Sequence, residues 1–410
     1  MCTLGTLPGA ARVLDRVADA LVQRRSVLLV VPRGVSSRDV WDEVTQRLYV
    51  RRILYTACDA WPRSLRDIGQ AVGALATDGT PTIDETVRQV DGCDVIAFPR
   101  DGADDLPAET APLLDDWAGA GRSGQGERRV PAYFGVVSGA QAISRLPRSD
   151  VNAAVVWWHE GESILDVRVR CRERGRALGD RFVALWREQV VPDVAGTDLD
   201  LADRIWEHVE EPEENLLRVL EDCARERGWK RDCLARLRPC LEGPRGIHPF
   251  AADRVDSSLA PAWAEGLVQC SPEYGLEVNS AAMAIDPGLR HALLHRWWRG
   301  QQALLTPLVD GIRRRVCSLL TRRYGSQWPL AFVPPDHERE QAEVAGDPSA
   351  CQLGHLSAIV SHVPEMRRFD TLVFQMKALR NELAHGRPAS FLDAAELRRV
   401  ALDLGAWPGQ

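Results

Sequence analysis

The chain has 410 residues, 45% hydrophobic and 27% charged, which is ordinary for globular protein and too long for one ordinary core. Its formal net charge of −7 excludes a generic polyanion binder, so any nucleic-acid site has to be a local basic patch. No apolar run approaches the ~18 residues of a membrane span, no secretory signal opens the chain, and the ten cysteines form no CxxC pair, so reduced thiols and a cytoplasmic location are expected.

Helical spacing of Val13, Val17 and Leu21 predicts a helix over residues 10–24. Residues 26–31 (Ser-Val-Leu-Leu-Val-Val) read as a short buried strand, residues 32–37 as a loop, and Val40, Val44 and Leu48 as the next helix. Residues 52–57, 94–98, 132–137 and 153–158 supply four more strand runs with helical segments between them. That alternation predicts an α/β region with a mainly parallel sheet. The order helix, strand, loop, helix resembles P-loop NTPase modules of the AAA+ and STAND type.

The residues that would grip a nucleotide do not match that pattern. A working P-loop needs glycines that let backbone amides surround the phosphates, then Lys-Ser/Thr for charge and magnesium. Here Gly34 is the one glycine in the loop, and the chain's two lysines, Lys230 and Lys377, are far away. The third strand ends in Phe98-Pro99-Arg100, with Asp101 beyond, instead of an acidic magnesium ligand. Arg33 or Arg38 could touch a phosphate, but arginine does not easily replace a point-charge lysine. The expectation is a degenerate, non-hydrolysing module without a cofactor. Gly135, Ser138 and Gly139 resemble a hydrolase elbow only loosely, and Ser138 lacks evident His and Asp partners.

From about residue 175 the chain turns helical, led by Phe182, Leu185 and Trp186, then Leu201, Ile205 and Trp206, then Leu216, Leu217 and Leu220. Residues 263–268 and 274–280 look like the closing part of a winged helix. Acidic Glu265, Glu273 and Glu277 around that wing argue for packing or a partner surface over DNA. Asp286-Pro287-Gly288 is a strong turn and a boundary. Three domains follow: 1–175, 176–285 and 286–410.

In the third, apolar residues from Leu293 to Leu320 predict a long helix that Pro307 must kink or restart. Residues 334–350 read as a loop. His291 and His295 stand four apart but have no third ligand placed by sequence, so packing or solvation explains them better than a metal. Arg313, Arg314 and Arg322 lie on a basic face that is either a solvated helix surface or a phosphate track. Leu372, Met376, Leu379 and Leu383 make an apolar helical stripe, and Asn381 and His385 share a polar face beside Arg380. Gly386 is a C-cap and Pro388 prevents the helix from resuming. A guanidinium, an amide and an imidazole at one helix end suit gripping a phosphate and moving a proton.

The string Arg380-Asn381-Glu382-Leu383-Ala384-His385 resembles the Arg-x4-His signature of the HEPN superfamily of small helical domains, over roughly residues 286–410. The resemblance implies a metal-independent ribonuclease. Arg380 would hold the phosphate, Asn381 would position it, and His385 would transfer the proton as the ribose 2′-hydroxyl attacks. It also implies pairing of two copies, or of the domain with a protein partner, and RNA as the bound polymer, with Arg313, Arg314 and Arg322 contacting it. The expected fold class is therefore multidomain: a P-loop-like parallel-sheet module, a helical and winged-helix-like middle, and a HEPN-like bundle. The expected function is a regulated endoribonuclease of a bacterial antiviral or stress-response system. The alternative is a non-catalytic assembly subunit of a defence complex.

Overall fold

The computed structural model describes residues 3–71, 81–89, 92–120, 130–147, 153–161, 163–235, 250–251, 254–255, 259–271, 275–330 and 338–407. They form two compact units: residues 1–174, 195–204 and 220–286 make the first, and residues 175–194, 205–219 and 287–410 the second.

The first unit is built on a five-stranded sheet. Its strands are β1 (Ser26–Val31), β2 (Tyr55–Ala57), β3 (Val95–Ala97), β4 (Ala132–Ser138) and β5 (Ala153–Trp157), in the order β2-β3-β4-β1-β5. Every pairing is parallel, with Val27 opposite Phe134 and Ala154, and Ile96 opposite Thr56 and Tyr133. Strand β1 is flanked on both edges and buried throughout, which is why it reads as an apolar run from Val27 to Val31. β2 begins three residues later than its sequence suggests. Helix α2 (Ser37–Val50) ends with Arg52 at φ +60°, and this left-handed turn uses up the first residues of the expected strand. Helix α1 (Pro8–Val22) precedes β1. Its first amides, Gly9 N and Ala10 N, donate to the buried Asp166 carboxylate at 2.9 and 3.0 Å, satisfying donors that a helix start leaves open.

The wing-like stretch is a hairpin here: Val268–Ser271 pairs antiparallel with Gly275–Val278, after the short helix Ala260–Ala264. Glu273 and Tyr274 lie outside the described residues. Gln269 is buried in it, donating to Ala195 O at 3.1 Å and accepting from Thr197 N at 3.1 Å.

The second unit is helical. Its longest element, Arg290–Tyr324, is one continuous helix of 35 residues that passes through Pro307, so no new segment begins there. Residues 338–350, expected as loop, instead form the helix Glu338–Gly346 and a turn at Pro348–Ala350. The segment is rich in the strong helix formers Glu, Arg, Gln and Ala, and Val344 packs it down with no exposure. Residues 334–337 of that expected loop lie outside the described residues. The helices Leu353–His362, Asp370–Ala384 and Phe391–Asp403 complete the unit. Phe182, Trp186, Phe391 and Trp407 cluster in it, with ring centroids 5.2–6.3 Å apart. Among the described residues no helix is long and apolar enough to cross a membrane.

Eight cysteines are described, all as free thiols. Burial pushes Cys58, Cys223 and Cys317 up to about 11. At pH 8 each is then only about 0.1% thiolate, the reactive form. A thiol-disulfide reagent at pH 8 should leave these three unmodified in the native protein. In denaturant all ten cysteines should react, read by mass spectrometry.

Candidate functional site

The apolar stripe of helix Asp370–Ala384 is buried as expected: Leu372, Val373, Met376, Leu379 and Leu383 are each 5% exposed or less. Burying that face sets the rotation of the helix, so Arg380 and His385 are exposed and Asn381 is half-buried. Gly386, at φ +72°, donates to Leu383 O at 3.2 Å, and Arg387 N donates to Glu382 O at 3.0 Å, which closes the helix with a left-handed residue. The end is also held from outside. Trp298 Nε1 donates to Leu383 O at 2.7 Å. Gln301, fully buried, donates to Ala389 O at 2.9 Å and accepts from Ala389 N at 2.7 Å. Two residues of the long helix thus fasten both the last turn and the segment that leaves it.

Among the described residues none bonds to the side chains of Arg380, Asn381 or His385. At about 100° per residue, Asn381 and His385 stand about 40° apart around the axis, and Arg380 and His385 about 140° apart. The amide and the imidazole share a face. The guanidinium reaches that face only along the length of its side chain, or faces it from a second copy.

The other basic residues divide. Arg313 is turned inward, bonded to the carbonyls of Ser349 (2.5 Å) and Cys351 (2.7 Å) and to Asp310. Its donors serve the fold. Arg314 is exposed and paired with Asp310 at 2.8 Å. Burial is the largest single influence on that carboxyl and raises it, but the hydrogen bonds and charges of Arg313 and Arg314 together outweigh it and hold the carboxyl below its usual range. Arg322 is exposed. The His295 ring packs 4.9 Å from Trp298, and no group of three or more metal-ligating side chains occurs among the described residues.

In the first unit, parallel sheets place ligand crevices outside the carboxyl ends of their strands, where the chain order reverses. Here that is the end of β1, between β4 and β5. Gly34 adopts φ +107°, but the rest of the loop is bound by its own protein. Ser36 caps α2 by accepting from Asp39 N at 3.2 Å, and Asp39 places a negative charge in the first turn. Arg33 N donates to Ala264 O at 2.7 Å, and its guanidinium donates to Arg227 O at 2.8 Å and to Glu265 at 3.2 Å. Phe98, where an acidic ligand would stand, is buried against Trp61 and Tyr133 at 5.0 and 5.8 Å.

The strongest electrostatic feature of this crevice was invisible in the sequence. The guanidinium of Arg227, side chain 7% exposed, is held by both oxygens of Asp198 and by Asp200 at 2.7 Å, and Asn279 donates to Asp198 at 2.8 Å. Burial lowers the pKa of Arg227, but the Asp198 charge and hydrogen bonds outweigh it and raise the value above normal. The cavity beside it, lined by Arg33, Gly34, Thr197, Asp198, Gln269 and Asn279, is about 30 Å³, room for water and not for a nucleotide.

No family model and no curated protein matches the chain. Among solved structures it is similar to the RuvB Holliday junction branch migration motor of Thermotoga maritima, at 14% identity and a TM-score of 0.33, over 68% of this chain and 95% of that one. A single-substitution mutant of that motor gives 13% identity and a TM-score of 0.33 over the same shares. Nothing about activity follows from a likeness of that size.

Two outcomes test these networks. Arg227→Ala should strand Asp198 and cost about 3–5 kcal/mol, with Arg227→Lys recovering only part, in urea unfolding followed by circular dichroism. Gln301→Ala should cost about 2–3 kcal/mol in the same assay, because the buried Ala389 amide and carbonyl lose their partners.

Proposed function

We propose that this protein is a regulated, metal-independent endoribonuclease whose reaction takes place at the end of helix Asp370–Ala384. The observation that carries this reading is the exposure of Arg380 and His385, with the half-buried Asn381 between them, at a helix terminus that Trp298 and Gln301 hold in place. A cation, an amide and an imidazole whose side chains have no partner among the described residues can meet an RNA phosphate without breaking a bond to them. Arg380 binds the phosphate through its guanidinium, whose paired N–H donors match the phosphate oxygens. His385 takes the proton of the 2′-hydroxyl or returns one to the leaving 5′-oxygen, and Asn381 orients the linkage. The angular separation of Arg380 and His385 is consistent with pairing of two copies, each completing the other's cleft.

In this reading the first unit is an AAA-like module that does not turn over nucleotide. Its loop lacks the lysine, its third strand lacks the acid, and Asp198 at its crevice is already paired with Arg227, which also binds Asp200. It acts as a regulatory body. A bacterial antiviral or stress-response setting in the cytoplasm fits the free thiols and the resemblance to defence nucleases.

A second reading, a non-catalytic assembly subunit, draws on a different observation. Around the edge strand β2, Tyr49, Val50 and Leu54 are 79%, 74% and 62% exposed, an apolar group of the kind that protein partners cover.

Incubation of the purified chain with single-stranded RNA in EDTA should yield fragments ending in a cyclic phosphate. His385→Ala and Arg380→Ala should each slow cleavage at least about 100-fold, the usual worth of a proton-transfer group. Undiminished cleavage in both variants would defeat the assignment, and absence of cleavage in the native chain, alone and with partner proteins, would favour the assembly role.

A further inference from the structure

The solvent face of helix Asp370–Ala384 carries more than the reactive pair. Phe374 is 69% exposed, although a phenylalanine gains about 1.5–3 kcal/mol from full burial. Counting about 100° per residue from Phe374, Ala378 lies at about 40°, Asn381 at about −20° and His385 at about 20°. The four therefore form one narrow stripe along the helix, opposite the buried Leu372–Leu383 face. With a rise of about 1.5 Å per residue, the ring of Phe374 stands about 10 Å from the level of Asn381 and about 16 Å from that of His385. Ala378, exposed and small, leaves the ledge between them unobstructed.

Two cations flank this ledge: Lys377 is exposed about 60° from the stripe, and Arg380 follows it. Of the helix's acids, Glu382 pairs with Arg387 at 3.1 Å, and Asp370, which accepts from Ser361 at 2.8 Å and keeps its charge, stands on the far side of Phe374 from Asn381 and His385. In a chain of net charge −7, an aromatic ring aligned with a cation and a phosphate-handling pair is the arrangement that single-stranded nucleic acid recognises, by base stacking on the ring and phosphate contact beside it.

We propose that Phe374 is a base-stacking residue for single-stranded RNA, holding a nucleobase on the strand that continues from the linkage cleaved at Asn381 and His385, with Lys377 on an intervening phosphate. This inference rests on the ribonuclease reading and adds to it a substrate-positioning residue outside the Arg-x4-His string. A stacked base is worth about 1–3 kcal/mol, so losing the ring should weaken RNA binding roughly 5–150-fold.

The test measures binding of a fluorescent single-stranded decaribonucleotide by anisotropy, using the full chain with His385→Ala to prevent cleavage. Adding Phe374→Ala should weaken binding within that range. Phe374→Leu, apolar but without a π face, should weaken it similarly, and Phe374→Trp should preserve it. Each variant is checked for an unchanged melting curve, which an exposed position allows. Unaltered binding by Phe374→Leu or Phe374→Ala overturns the proposal. So does a shift from dimer to monomer in sedimentation with RNA affinity intact, which would make Phe374 a contact between copies. If the native chain cleaves RNA while Phe374 has no effect, this inference alone fails; if the native chain neither binds nor cleaves the oligonucleotide, the ribonuclease reading fails with it.

Discussion

The interaction on which the candidate site depends is the burial of one side of helix Asp370–Ala384, completed by the Trp298 indole on the Leu383 carbonyl. Five apolar residues in the core leave the helix one rotational setting. Once that is fixed, the opposite side must carry Phe374, Lys377, Arg380, Asn381 and His385 outward, whatever their chemistry. The last turn of a helix is where fraying normally begins, because its carbonyls lack partners. Here an indole takes one of those carbonyls, and the Gln301 amide pairs twice with the chain just beyond. The polar group is therefore mounted on an end that is both exposed and held.

The crevice at β1 shows the opposite arrangement. Charges that could address a ligand are consumed internally: Arg227 by Asp198 and Asp200, Arg33 by Glu265 and by a carbonyl, and the start of α2 by Ser36 and Asp39. Removing charges from water is costly unless each finds a partner, and here the partners come from segments far apart in the chain. The result ties the loop after β1 to residues 198, 227, 264 and 279 within one unit. A fold that positions loops around a ligand has them positioned by side chains instead.

Several elements were legible because their signal is local. Strand β1 is apolar from Val27 to Val31, and its bounds match the expected run residue for residue. The parallel sheet followed from strands alternating with helices. Other elements were legible only in part. Arg52 turns left-handed without a glycine to announce it, so β2 starts late. Residues 338–346 looked like loop for their acids and neighbouring prolines, yet burial of Val344 rewards a helix there. Pro307 removes one amide from a helix of 35 residues whose remaining bonds and buried face hold it continuous. Trp298 belongs to the apolar residues that announced the long helix and Gln301 does not, and neither could be recognised as a clamp of a helix end 85–88 positions later.

The sequence by itself determined a parallel α/β region, a helical C-terminal region, and an arginine, an amide and an imidazole within one helical turn and a half. It also showed that the loop after β1 lacks the lysine and glycines of a nucleotide grip. Only the tertiary structure decided that Arg380 and His385 are exposed, that Arg313 is spent on the Ser349 and Cys351 carbonyls, and that Arg227 is neutralised by Asp198 and Asp200. The reason is physical. Periodicity and turn chemistry are set by neighbours a few residues away, whereas whether a charge is free or already neutralised depends on groups that folding brings in from elsewhere in the chain.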